Sequence, residues 1–334
     1  MGTTDTPTLF HTVRVIAAPM AGGPSTPKLV AAVARGGGFG FLASGNQPLN
    51  AFAADMAALA GTPFGVNLFA PQVALPRTQD VEQARELLSK AFPGQEIPAA
   101  PTAAASDFPQ KWQHILEALR GDRGPSVVSL SFGAFTSAQV AQLHELGAQA
   151  WNSVTSVDEA ETAAQAGVDA LIVQGVEAGG HRLTFDPKTQ PNATPVAELV
   201  AQIARRCTLP IIAAGGVRGP SDVQALLDLP GVIAVQTGSM FLLCPEAGTS
   251  EANRALLRTD AAQRTVASRG FSGRVARGLW APELEFLQDV PPVYPLLRPM
   301  SAAVGSSYCL VGERAELIPD GLPAAEVVRL LSPR

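Results

Sequence analysis

The chain has 334 residues, 46% apolar and 16% charged, which is ample for a large buried core and excludes general disorder. With 24 basic against 29 acidic side chains the net charge is −5, and no Lys or Arg run supplies the basic footprint of a nucleic-acid binder. The opening MGTTDTPTLF lacks the marks of a signal peptide, no run of about 20 apolar residues escapes Gly, Pro or charge, and Cys207, Cys244 and Cys309 form no C-x-x-C pair, so the expectation is a soluble cytoplasmic protein with a small-molecule partner and no membrane role.

In chain order, short apolar runs span Val13 to Ala17, Gly40 to Ala43, Gly65 to Phe69, Val127 to Ser131, Ala148 to Ser153, Ala170 to Gln174, Pro210 to Ala214 and Ile233 to Thr237. Most are followed by an amphipathic stretch, the pattern of βα units feeding a parallel sheet. Thr26 and Pro27 open a helix that stops at Gly36 to Gly38. Ser156 and Glu159 have the spacing of a capping box, and a third helix is expected from Thr194-Pro195 to about Arg206. Residues 70 to about 125, with helical patterns at Val81 to Ala91 and Asp107 to Arg120, and residues 245 to about 310 are too long for simple connections and read as insertions. Leu322 to Leu331 reads as a final helix. Eight such strands imply an α/β fold, a TIM (β/α)8 barrel with a helical insertion. Its expected parts are residues 1–245 with 311–334 as the barrel, and 246–310 as an insertion on the substrate side. A doubly wound open sheet is the alternative, but Gly38-Phe39-Gly40 follows a helix where the dinucleotide fingerprint should bridge strand to helix, and no Walker A motif occurs.

Barrel chemistry sits at the carboxyl ends of the strands. The first run ends at Met20 with Gly22 and Gly23, where backbone can approach a flat ligand, and the third places Asn67 among apolar neighbours. The sixth leads into Gln174, Gly179, Gly180 and His181, which joins an amide, an open backbone and a side chain able to exchange protons near neutrality. His11, His114 and His144 read as structural, and no metal-ligand spacing is present, so no metal is expected. The seventh and eighth runs end in Gly215-Gly216 and in Gln236, Thr237, Gly238 and Ser239, the place where barrels commonly hold phosphate. One extended phosphate-bearing ligand, either FMN or a sugar phosphate, fits this spacing.

APMAGGPSTPKLVAAVARGGGFGFLASG (18–45), GVNLF (65–69), QGVEAGGHR (174–182), PIIAAGGV (210–217), AVQTGSMFL (234–242) and FSGRVARG (271–278) resemble the nitronate monooxygenase family, formerly 2-nitropropane dioxygenase. The resemblance implies an FMN-binding TIM barrel with Met20, Asn67, Gln174, Gly179, Gly216, Gln236, Thr237, Gly238 and Ser239 as cofactor contacts. It implies the phosphate at Gly216 and residues 236–239, and His181 as the catalytic histidine. The implied reaction oxidises an alkyl nitronate, propionate 3-nitronate among them, with O2 to a carbonyl compound and nitrite, in a monomer or homodimer. Two departures are visible. Ser131 stands where similar enzymes carry a second histidine in S-x-H-F-G, and Tyr308 to Glu313 stand where a W-x-G-Q segment is usual. A carboxylate-bearing substrate wants cationic or phenolic donors, and only Tyr294 and Tyr308 are available as tyrosines. The alternatives are a flavin-dependent NAD(P)H enoyl-acyl-carrier-protein reductase, which shares the EAGGH stretch, and a non-catalytic FMN-binding protein.

Overall fold

A computed structural model describes residues 12–72, 75–101 and 107–333. The opening decapeptide and His11 lie outside the described residues. All eight apolar runs form strands, here β1 (Val15–Ala17), β2 (Phe39–Ala43), β3 (Gly65–Phe69), β4 (Val127–Ser131), β5 (Gln149–Val154), β6 (Ala170–Gln174), β8 (Ile211–Ala214) and β9 (Val232–Thr237), with β7 (Gly180–His181) in the loop after β6. They pair in parallel in chain order, and β1 closes on β9 through Ile16 opposite Gln236. Closure leaves no sheet edge, so the open-sheet alternative is excluded.

Strand period 2 divides the core in two. Ile16, Phe39, Phe41, Val127, Trp151, Ile172, Ile212 and Ala234 fill the lumen, while Val66, Leu68, Val128, Leu130, Leu171, Val173, Ile211 and Val235 face the helices. Each Val, Leu, Ile or Phe among them, taken fully from water, contributes about 1.5–3 kcal/mol. By the same alternation Asn67, Ser129, Ser131, Gln174 and Gln236 point inward at the carboxyl ends. The lumen is therefore apolar at its floor and polar at its mouth.

The helices are α1 (Pro27–Arg35), α2 (Leu49–Ala57), α3 (Thr78–Ala91), α4 (Phe108–Arg120), α5 (Ser137–Glu145), α6 (Val157–Ala166), α7 (Val196–Ala204), α8 (Pro220–Leu227), α9 (Glu251–Leu257), α10 (Leu297–Ala303) and α11 (Ala324–Leu331). Thr26 caps α1 by accepting from Leu29 N at 3.0 Å. Gly36 does more than stop that helix: a Cβ there would meet Ala325 Cα at 2.8 Å, so the glycine lets α11 pack on α1. Ser156 caps α6 through Glu159 N at 3.2 Å, but the expected box is half made. Glu159 instead accepts from Thr155 N and Oγ1 and from Phe185 N, tying the loop after β6 to the barrel. The expected start of α7 at Thr194-Pro195 becomes Val196, whose N–H is bound by the Glu177 carboxylate at 3.1 Å.

The two insertions pack on each other. Val81, Ala84 and Leu88 of α3 and Ile97 share a separate core with Leu287, Val290, Val293, Leu296, Leu297 and Met300. Besides α9 and α10, the second insertion carries strands β10 (Thr265–Ser268) and β11 (Ala276–Leu279). These join β7 in an antiparallel sheet in which Ala276 faces His181.

Candidate active site

Three groups of residues meet at the barrel mouth. The first is the inward-facing polar layer. Asn67 is 2% exposed, and its Oδ1 accepts from Ser129 Oγ and Ser131 Oγ, both at 3.0 Å. This turns the Asn67 amide nitrogen away from the serines, and Nδ2 makes no hydrogen bond among the described residues. Ser131 is buried and holds Asn67. Ser131 thus supports the Asn67 amide from within the polar layer. Gln174 bridges β6 to the loop beyond it, donating from Nε2 to His181 O at 2.9 Å and accepting Leu183 N at 3.1 Å. Gln236 is buried in the same layer with no partner for Oε1 among the described residues.

The second group is the backbone at the ends of β8, β9 and β1. Gly216 has φ +73°, a conformation in which an L side chain is strained. Gly238 lies against Met20, whose Cγ and Sδ would be 3.3 Å from a Cβ there. Thr237 O accepts from Ala18 N at 3.0 Å, and Ser239 Oγ accepts from Gly312 N at 3.0 Å. Gly179 crosses that returning segment so closely that a Cβ would lie 2.3 Å from Gly312 N. Behind this backbone Arg218 is buried, donating to Val217 O and to Arg314 O at 3.1 Å.

The third group is the wall around His181. The Nε2 atom lies 2.7 Å from Ser272 Oγ, and Nδ1 makes no hydrogen bond among the described residues. Phe132 and Tyr294 stand edge to face with the imidazole, centroids 5.9 and 5.8 Å away. Phe132 has φ +71°, an uncommon conformation for a bulky residue. It is fixed from behind by Asn152, which donates to Gly133 O at 2.8 Å and accepts from Phe135 N at 3.1 Å. Arg274 lies over the faces of Phe132 and Tyr294, at 4.3 and 5.2 Å. Burial first, and the Arg274 charge second, push the His181 pKa down to about 4, so the imidazole is neutral at pH 7. Burial likewise pushes the Tyr294 phenol up to about 12 and keeps it protonated.

All the residues singled out from the sequence, Met20, Asn67, Gln174, Gly179, His181, Gly216 and 236–239, therefore lie at one end of the barrel. His114 and His144 are elsewhere: His114 on helix α4 stands edge-on against Phe52 of α2, and His144 pairs with Asp169 at 2.9 Å. Sequence reasoning singled out none of Phe132, Ser272, Arg274 and Gly312 as site residues, and it noted Tyr294 only as one of two available phenols. FSGRVARG carried a signal for two of them, but nothing local shows that residues so remote in sequence reach His181. Among the described residues no three His, Cys, Asp or Glu side chains group as metal ligands, and no helix is long and apolar enough to cross a membrane.

A closed parallel barrel with its polar layer, glycine-rich ends and a histidine wall at one mouth defines a TIM-barrel enzyme. The family model for nitronate monooxygenase matches residues 5–316. Nitronate monooxygenases of Paraburkholderia phytofirmans and Pseudomonas aeruginosa are 33% and 35% identical over 95% of this chain, covering 90% and 94% of their own lengths. The chain belongs to the nitronate monooxygenase family and is an oxidoreductase. A nitroalkane oxidase from Streptomyces ansochromogenes superimposes with TM-score 0.84 at 30% identity, over 96% of this chain and 95% of that one. FabK from Thermotoga maritima, at TM-score 0.71 and 21% identity over 97% and 92%, shares the fold.

Proposed function

We propose that this enzyme uses FMN to oxidise alkyl nitronates with O2 to a carbonyl compound and nitrite, with His181 as the residue that contacts the reacting group. The residues at the mouth fit that cofactor. Gly215-Gly216 and Gly238-Ser239 offer backbone N–H groups and a hydroxyl to a phosphate, Met20 lies beside them for a ring face, and the Asn67 amide and the unpartnered Gln236 carbonyl suit a polar ring edge. When bound, the flavin supplies one-electron chemistry between the nitronate and O2. Two nitronates and one O2 balance two carbonyl compounds and two nitrites: in each nitronate the carbon–nitrogen bond breaks, carbon gains one oxygen atom of O2, and nitrogen leaves as nitrite.

The observation that carries this reading is the state of His181. Its ring is neutral, it is anchored at Nε2 by Ser272, and its Nδ1 is left for a ligand. The His181–Ser272 bond fits either direction; when Nε2 donates to the Ser272 hydroxyl, whose own proton can turn to Arg274 O 3.4 Å away, Nδ1 presents a lone pair. That arrangement accepts a proton from the carbon of a nitroalkane or orients a nitronate already ionised. Phe132 and Tyr294 exclude water beside it.

The test is anaerobic mixing of FMN-loaded protein with ethylnitronate, propionate 3-nitronate and NADPH separately, recording the visible spectrum, followed by nitrite measurement in air. A spectral change with a nitronate, and nitrite in air, are the expected results. Bleaching by NADPH alone would replace the reading with a reductase, and an inert flavin would replace it with a binding protein.

A further inference from the structure

We propose that Arg274 is the residue that makes this pocket select the anionic nitronate over the neutral nitroalkane. The inference rests on the proposed function and adds a specificity-determining residue to it.

Arg274 is 1% exposed, yet it forms no ion pair among the described residues. Its acceptors are neutral: Thr184 O at 2.6 Å, Thr184 Oγ1 at 3.1 Å and Gln72 Oε1 at 3.1 Å, with Nε unpartnered. The carboxylates that act on it are engaged elsewhere, Glu159 with Thr155 and Phe185, and Asp186 with Lys188 N. Burial pushes the guanidinium down to about 10, which leaves it charged at pH 7. A buried charge with no counter-charge is costly, and such charges gather where a ligand completes them.

The direction of the field is set by the packing. The guanidinium packs on the rings of Phe132 and Tyr294, and the same two rings stand edge to face with His181. The backbone of Arg274 also brackets Ser272 Oγ, with its N and O each 3.4 Å away, so the same residue braces the hydroxyl that holds His181. The pocket therefore combines one fixed positive charge with a neutral imidazole. A planar anion beside His181 gains from that charge, and a neutral nitro compound of the same shape gains almost nothing. Two unit charges about 6–8 Å apart at an effective permittivity near 20 favour the anion by roughly 30- to 100-fold.

Arg274 also cross-links residue 184 to residue 72, so its loss could act through structure alone. Three variants separate the roles. Arg274→Met removes the charge and the cross-link, Arg274→Lys keeps the charge, and Gln72→Ala removes only one cross-linking bond. Nitrate, a planar inert anion, is titrated calorimetrically into each protein, with neutral nitromethane as control, and kcat/KM is compared for ethylnitronate and nitroethane.

The expected result is nitrate affinity at least tenfold weaker in Arg274→Met, with nitromethane unaffected. The ethylnitronate-to-nitroethane ratio should fall by a similar factor, and both should be largely retained in Arg274→Lys and Gln72→Ala. Equal losses for anion and neutral ligand, or a Gln72→Ala variant that behaves like Arg274→Met, would overturn the proposal. If Arg274→Met does not fold, the wild-type protein decides: nitrate that binds no tighter than nitromethane overturns it. Arg274-dependent nitrate binding in a protein that oxidises no nitronate would overturn the proposed function and leave the anion pocket standing.

Discussion

His181 is neutral because its surroundings are apolar and a fixed cation stands nearby, and this makes its contribution to stability depend on pH. Its pKa is near 6.5 in the unfolded chain and about 4 in the folded one. Between those values the unfolded state binds more protons, so stability falls as pH drops from about 7 to 4 and levels off below, with a ceiling of about 3 kcal/mol. Urea unfolding across this range should show a smaller fall in His181→Asn than in the wild type; parallel curves would assign the effect to another group. In the same variant FMN should be retained while oxidation of neutral nitroalkanes drops at least 100-fold. A full rate with flavin bound would remove His181 from the chemistry.

Gly216 tests the other end of the site. Gly216→Asp and Gly216→Asn share the strain of φ +73°, but only the first brings a carboxylate to the proposed phosphate position. FMN affinity, followed by flavin fluorescence, should be at least tenfold weaker for Asp than for Asn. Equal affinities would move the phosphate elsewhere. His181 and Gly216 were both legible in the sequence because each lies shortly after a barrel strand beside a second glycine, where backbone is open to a ligand. The serines behind Asn67 were not, since a buried serine in a strand looks the same whether it supports a functional amide or fills space.

Among the elements, the strands were legible because a fully buried parallel strand is a short apolar run between breakers, whatever it packs against. Capping was less so: Ser156 caps α6 as expected, but Glu159 had better partners in Thr155 and Phe185, which only tertiary contact supplies. The junction of β4 and β5 shows the same dependence. Asn152 faces outward from β5 and holds the turn in which Phe132 takes its uncommon backbone conformation. Asn152→Ala should cost about 1–3 kcal/mol by leaving Phe135 N and Gly133 O unpaired. It should raise KM more than it lowers kcat, because the wall of the pocket loosens while His181 keeps its anchor. Steady-state kinetics with ethylnitronate checks the split, and unchanged KM would mean that the turn holds itself.

The whole molecule is a barrel carrying a second core above its mouth. That core, built from α3 with residues 287–300, carries Tyr294 to His181. Leu88 and Met300 are fully buried in it, so Leu88→Ala or Met300→Ala should cost about 2–5 kcal/mol of local packing. Hydrogen exchange should then rise in α3 and α10 before it rises in the barrel strands, and substrate affinity should weaken while FMN stays bound. Uniform exchange across the barrel would show instead that the two cores unfold as one.

Local periodicity, breakers and residue type were enough to place the eight strands and the helices between them, and to pick out polar and glycine positions, His181 among them, that share one end of the barrel. Tertiary structure decided what surrounds that histidine. Arg274, Tyr294, Ser272 and Phe132 are brought to it by a sheet that joins β7 to β11 and by one insertion packing on the other. Both are contacts between segments far apart in the chain, and their partners are chosen by shape and burial that no local pattern records.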